Sequence, residues 1–117
     1  MDFGKAIEAL KRGETVARSV WNGKSFLTLQ EGSTVDGDDM RNENAKKYYA
    51  DVQCTIAPHI DMKSADGTYV VGWLASQIDM LAEDWEVVEP ASYKDEALYS
   101  LTIPYRDENN QLQLLKL

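Results

Sequence analysis

The chain is poor in the residues that carry much of enzyme and metal chemistry. Its 117 residues hold one cysteine, one histidine and three prolines. A single Cys54 excludes an internal disulfide and suits a reducing cytoplasm. One histidine and one cysteine do not make a zinc set. Cys54 and His59 lie five residues apart, which on a strand puts them on opposite faces, and Pro58 intervenes, so no nucleophilic dyad forms. Cys54 therefore reads as a buried small hydrophobe and His59 as a surface or satisfied polar residue. No apolar run reaches membrane-spanning length, and Met1-Asp2-Phe3-Gly4-Lys5 enters an amphipathic pattern without a signal-peptide core. Glycine fingerprints for phosphates or dinucleotides, internal repeats and low-complexity stretches are also missing.

What is present is an acidic, single-domain composition: 44% hydrophobic, 27% charged, net charge −8. Such a balance argues against coating long nucleic acid, whose phosphates demand a basic surface. The charge is unevenly placed. Through Lys24, five basic residues (Lys5, Lys11, Arg12, Arg18, Lys24) face Asp2, Glu8 and Glu14, leaving −10 for the remainder. An acidic protein with a basic end can hold a small anion; it can equally mimic DNA and block a nucleic-acid enzyme.

Patterning gives an α+β fold: a small antiparallel sheet, an N-terminal helix, a short capped helix near residues 76–83 and a C-terminal hairpin extension. Asp2 is a natural N-cap; Phe3, Ala6, Ile7 and Leu10 form one helical stripe, and Gly13 ends it. Residues 14–21 and 24–30 are β-prone and flank Asn22-Gly23, a strong signal for a tight hairpin that sets Phe26 near Trp21 across the pair. Residues 31–47 read as a polar loop, with a short helix near Asn44–Tyr48. Its Asp36-Gly37-Asp38-Asp39 cluster lacks the spacing and the closing Glu of a calcium loop. Val52, Cys54 and Ile56 alternate as a strand up to Pro58, and Ile60 and Met62 resume the alternation. Ala65-Asp66-Gly67 turns into Thr68–Val71, and Trp85–Val88 forms another strand. Pro90 marks a boundary between a domain at 1–89 and an extension at 90–117. The extension reads as a hairpin, Leu98–Ile103 against Leu112–Leu115 around Asp107–Asn110, that packs on the main sheet or on another subunit.

The most informative stretch is Gly72–Trp85. Ser76 can accept from the backbone of Asp79 while Asp79 reaches back to Ser76, a capping box with Asp in place of Glu. Gln77 occupies the first turn. Read blandly, this is a well-capped helix between two core tryptophans, with Met80 and Trp85 in the core. Read functionally, the helix start beside an aromatic face suits a ligand carrying both a base and phosphates. Aromatic Trp21, Phe26 and Trp73, polar Asn22, Ser76, Gln77 and Asp79, and cationic Arg18 and Lys24 could together stack a nucleobase, bond its edges and neutralise phosphate. No catalytic set and no metal set accompany them, and no cofactor is implied.

Three stretches together carry a family resemblance: Asp2–Gly13, Val16–Lys24 with its Arg18-Ser19-Val20-Trp21-Asn22-Gly23 core, and Met62–Trp85. The chain resembles the second Thoeris anti-defence family, small phage and prophage proteins, over about residues 2–88. The resemblance implies a cytoplasmic sponge in the infected bacterial host. It would bind cyclic ADP-ribose-type messengers and, in some members, cyclic dinucleotides of CBASS-type enzymes, holding them uncleaved as a homotetramer with pockets between subunits. Trp21 and Trp73 would flank the base, Asn22, Ser76, Gln77 and Asp79 would make polar contacts, and Arg18 would face phosphate or hold an acid. The same family includes a described inhibitor of type II CRISPR nucleases, the alternative that the acidic charge favours. Neither membrane nor long nucleic acid is an expected partner.

Overall fold

A computed structural model describes residues 1–93 and 102–116. Helix α1, Phe3–Lys11, begins where the Asp2 carboxylate accepts from the N–H of Lys5 and stops as Gly13 turns left-handed at φ 89°. Its apolar stripe covers one face of a five-stranded antiparallel sheet. In chain order the strands are β1 (Thr15–Arg18), β2 (Phe26–Gln30), β5 (His59–Lys63), β6 (Tyr69–Val70) and β7 (Trp85–Val88), arranged β6-β5-β2-β1-β7. Val16 pairs with Leu27 and Leu27 with Met62, so alternate residues of neighbouring strands share the α1 side. There Ala6, Ala9, Leu10, Val16, Leu27 and Trp85 form the buried core, with Trp21, Trp73, Ile60 and Ala82 packed around it. The ammonium and carbonyl of Met1 bond Trp85, tying the chain start to the outer edge of β7.

Between β2 and β5 a second unit intervenes where the sequence suggests a loop. Strand β3 (Ser33–Asp36) pairs with β4 (Gln53–Ile56) over four residue pairs, and α2 (Glu43–Tyr48) connects them, capped by Asn42. Only Val35 of β3 is even half-buried, so the strand carries no readable alternation. Gly37 seals this arm. A Cβ there would stand on the Tyr49 carbonyl, so no larger residue fits. Cys54 is buried in the arm, as expected. Pro58 ends the run after β4, and β4 and β5 lie in different sheets.

Two further expectations change. The Asn22-Gly23 pair does take the positive φ that its sequence demands, 54° and 71°. It closes no two-residue hairpin, however: β1 ends at Arg18, a 3-10 turn spans Ser19–Trp21, and β2 starts only at Phe26. The capped helix α3 is also shorter than expected, Gln77–Leu81, because Ala82 is already extended. Past β7, a 3-10 turn at Pro90–Tyr93 brings Tyr93 edge-on to Phe26 at 5.1 Å. Burial there, with Glu86 nearby, pushes the Tyr93 phenol pKa up. Strands β8 (Thr102–Arg106) and β9 (Leu112–Lys116) form the terminal hairpin, closed by Asp107, which accepts from the N–H of Asn109 and Gln111. Of the first strand expected there, Leu98–Leu101 lies outside the described residues.

Leu27 sits at the centre of this core with no exposed surface. Truncation to alanine is expected to cost about 2–5 kcal/mol, read as a lowered urea midpoint with an unchanged slope.

Candidate functional site

The three tryptophans converge on the α1 side of the sheet. Their ring centroids lie 5.3 Å apart for Trp21 and Trp85, and 6.4 Å for Trp21 with Trp73 and for Trp73 with Trp85. Interplanar angles of 75–83° make every pair edge-to-face, the favoured arrangement of aromatic quadrupoles. Trp85 is fully buried and donates its indole N–H to the Asp79 carbonyl at 2.9 Å. Trp21 and Trp73 are half-buried, so each keeps part of its surface exposed.

Each tryptophan is delivered by a different device. Trp85 comes from the β-alternation of β7. Trp73 follows a left-handed Gly72, whose N–H donates to the buried Asp61 carboxylate at 3.0 Å, while the Trp73 N–H donates to the Ile60 carbonyl. Trp21 ends a turn that Asp84 holds. The Asp84 carboxylate accepts from the Ser19 hydroxyl and the Val20 N–H, each at 3.1 Å, and its carbonyl accepts from the Ser19 N–H. This capture of Ser19 and Val20 pulls the chain out of β1 and lengthens the connection to β2.

Arg18 links the pieces. Its Nε donates to Asp84 at 2.9 Å and one terminal nitrogen donates to Asp79 at 3.0 Å, with only 13% of the side chain exposed. Of the two roles expected for Arg18, the structure shows the holding of acids. The Asp84 hydrogen bond is the main cause raising its pKa further, against the opposing effect of burial. The Asp79 carboxylate is equally committed, accepting also from the Ser76 hydroxyl at 2.8 Å, and the capping box is formed in both directions. Arg18, Ser76 and Asp79 thus set the wall's shape. Asn22 and Gln77 are exposed, and their side chains make no hydrogen bond to another described residue.

Phe26 is not brought to this group. Leu27 points to the core, so Phe26, one residue earlier, faces the opposite side of the sheet, paired with Lys63 and packed on Tyr93. Met80 is also not core: it is 38% exposed, since α3 rests on the body through Asp79 and Ala82. Asp84 and Asp61 are the positioning residues that residue typing misses. In so acidic a chain a lone aspartate carries no signal, although Asp84 stands directly before a tryptophan.

The patch around α3 is strongly apolar. Val71, Leu74, Ile78 and Leu81 are each at least 70% exposed. Among the described residues there is no group of three or more His, Cys, Asp or Glu placed to hold a metal, and no helix long and apolar enough to cross a membrane. Cavities of about 530 Å³ flank the β3–β4 arm, and one of about 240 Å³ lies where the arm joins the sheet.

Comparison with known proteins covers this same region. Residues 1–88 match the Tad2-like family, the Thoeris anti-defense 2-like domain. The chain is 38% identical over 88 residues to "Thoeris anti-defense 2" of Bacillus phage SP01, covering 75% of this chain and 94% of the relative.

The Arg18 pair sets an acid-stability expectation. Asp84 is held at a pKa of about 2, below its ordinary 3.8, chiefly by the Arg18 hydrogen bond. Its contribution is complete above about pH 4 and is lost as pH falls towards 2. Denaturation at stepped pH should show wild type losing stability in that window. Asp84→Asn should be weaker at neutral pH and flatter across the same window.

Proposed function

This chain belongs to the Thoeris anti-defense 2-like family, and from that membership we propose that it captures cyclic nucleotide immune messengers and holds them without cleavage. An anti-defence role follows from the family itself. The site chemistry adds the mode of action. A half-buried edge-to-face tryptophan pair offers one open indole face for stacking and a second ring edge beside it. Asn22 and Gln77 offer uncommitted amides for the base or ribose, and Lys24, one residue past the Asn22-Gly23 turn, offers a cation for phosphate. Arg18, Asp79 and Ser76 serve as the frame. The observation that carries the reading is this rigid aromatic wall on a family domain, with no nucleophile–base pair beside it among the described residues. The ligand class best matched is a cyclic ADP-ribose isomer, with cyclic dinucleotides as a second class. The place of action is the cytoplasm of the infected host.

Sequestration is a matter of mass action. Lowering free messenger 100-fold with excess protein needs protein at roughly 100 times Kd. A tight site must enclose most of its ligand, on the order of 70–90% of ligand surface. The tryptophan wall is one side of such an enclosure. The exposed Val71, Leu74, Ile78 and Leu81 supply the means to bring a second copy against it, and a homotetramer is the assembly proposed.

Three experiments test this. Protein incubated with a cyclic ADP-ribose isomer, freed of unbound ligand and then heated should release intact messenger; a hydrolysed product would instead identify an enzyme. Trp21→Ala should weaken binding by about 1–3 kcal/mol in calorimetry, and unchanged affinity would remove Trp21 from the site. Light scattering should report a tetramer for wild type and a smaller, folded species for Ile78→Glu, whereas a monomeric wild type would defeat the assembly.

A further inference from the structure

Past the family domain the chain adds a hairpin whose strands, among the described residues, share no sheet with the rest of the fold: β8 and β9 pair with each other. A lone two-stranded hairpin is marginal in water. Its two outer edges decide what it can pair with next, and they differ. The Asp107 N–H donates to the Gln111 carbonyl at 3.1 Å, so these residues form the hydrogen-bonded pair that closes the loop. Bonded and non-bonded pairs alternate along an antiparallel ladder. Tyr105–Gln113 and Ile103–Leu115 are therefore bonded, whereas Arg106–Leu112, Pro104–Leu114 and Thr102–Lys116 are not. Backbone groups of the non-bonded pairs point away from the hairpin. On β8 that outward row is broken, because Pro104 has no N–H to offer. On β9 it is whole: Leu112, Leu114 and Lys116 each turn an N–H and a carbonyl outward. Proline and charge are the usual guards of an exposed edge. The outward positions of β8 include Pro104 and Arg106, whereas those of β9 have only Lys116, at its end.

We infer that β9 is a pairing edge for β9 of a second copy of this chain, joining two hairpins into one four-stranded antiparallel sheet. The edge is its own complement. About a two-fold axis through Leu114, that residue faces Leu114 of the partner subunit, and Leu112 faces Lys116 of the partner subunit. Each of these positions has both backbone groups outward, so every outward N–H of the edge meets a carbonyl. The same register opposes Lys116 with a leucine, so no like charges stand across from each other. The edges of the main sheet suit β9 less well. Strand β6 is 2 residues long against 5 in β9. Strand β7 already spends the Trp85 N–H on the Met1 carbonyl and the Trp85 carbonyl on the Met1 ammonium. A symmetric pair also closes on itself, leaving the proline-bearing β8 as the outer edge on both sides. The contact uses no residue of the tryptophan wall or of the apolar patch at α3, so it stands apart from messenger capture.

The test uses the full chain. Leu114→Pro removes the central outward N–H and keeps the bonds within the hairpin, as Pro104 does across from it. In sedimentation, Ile78→Glu, which breaks the α3 contact, should run as a dimer, and adding Leu114→Pro should leave a single chain. Amide exchange at Leu112 and Lys116 should be roughly tenfold or more slower in Ile78→Glu than in that double variant. A short thiol-to-thiol cross-linker should join two copies of Leu114→Cys and leave Thr102→Cys, on the outer edge, unlinked. A single-chain Ile78→Glu would overturn the inference, as would a mass that Leu114→Pro leaves unchanged. So would Leu114→Cys linking no faster than Thr102→Cys, the mark of β9 seated on some other strand. Failure of the α3 assembly reads differently: wild type and Ile78→Glu would share one mass, and Leu114→Pro would still halve it.

Discussion

Arg18 held between Asp79 and Asp84 is the interaction on which the rest of the tryptophan-bearing surface depends. A single guanidinium joins the end of β1, the first turn of α3 and the residue just before β7. Its planar fork reaches two carboxylates at once, which a lysine could not do with the same geometry. The two acids are not left to repel each other, and each has further work. Asp84 folds the Ser19–Trp21 turn, while Asp79 completes the capping box and lends its carbonyl to Trp85. The Ser19–Trp21 turn and the α3–β7 segment, far apart in sequence, thereby present Trp21 and Trp85 to one another in fixed orientation.

That economy also explains the division of labour in the site. The charged residues nearest the aromatic wall are consumed in building it, while the amides of Asn22 and Gln77 and Lys24 on the turn stay exposed. A rigid frame with few mobile charged groups suits capture: the wall is ordered before the ligand arrives, and little conformational freedom remains to be lost on binding. Apolar residues on α3 and just before it stay uncovered in one copy of the chain.

Much of this was legible in residue order where the physics is local. Asp2 and Gly13 bound α1, and Ser76 with Asp79 set the start of α3, because a cap depends on residues a few positions apart. The positive φ of Asn22 and Gly23 is equally local. The length of their loop is not, being decided by Asp84 at a separation of 64 residues from Val20. Strand β3 escaped reading because its pattern is exposed nearly throughout, which erases the period of two. The expected register of Phe26 fails for a related reason: with a tight hairpin it would stand beside Trp21, but the longer turn and a core-facing Leu27 send it to the far side. Met80 is expected in the core because it stands where the helix returns to the sheet, yet α3 is held by a carbonyl, a carboxylate and Ala82, leaving its apolar residues outward. Membership of the 1–88 domain was legible from motifs, whereas the role of Arg18 needed three dimensions to resolve.

The mutual packing of Trp21, Trp73 and Trp85 has an optical consequence. All three indoles of the chain lie within 6.4 Å of one another. At such separations excitation passes readily between rings, so the protein emits as one coupled chromophore rather than as three reporters. Buried Trp85 then shares the fate of the open faces beside it, and a molecule resting on either outer ring is felt by the fluorescence of the whole cluster.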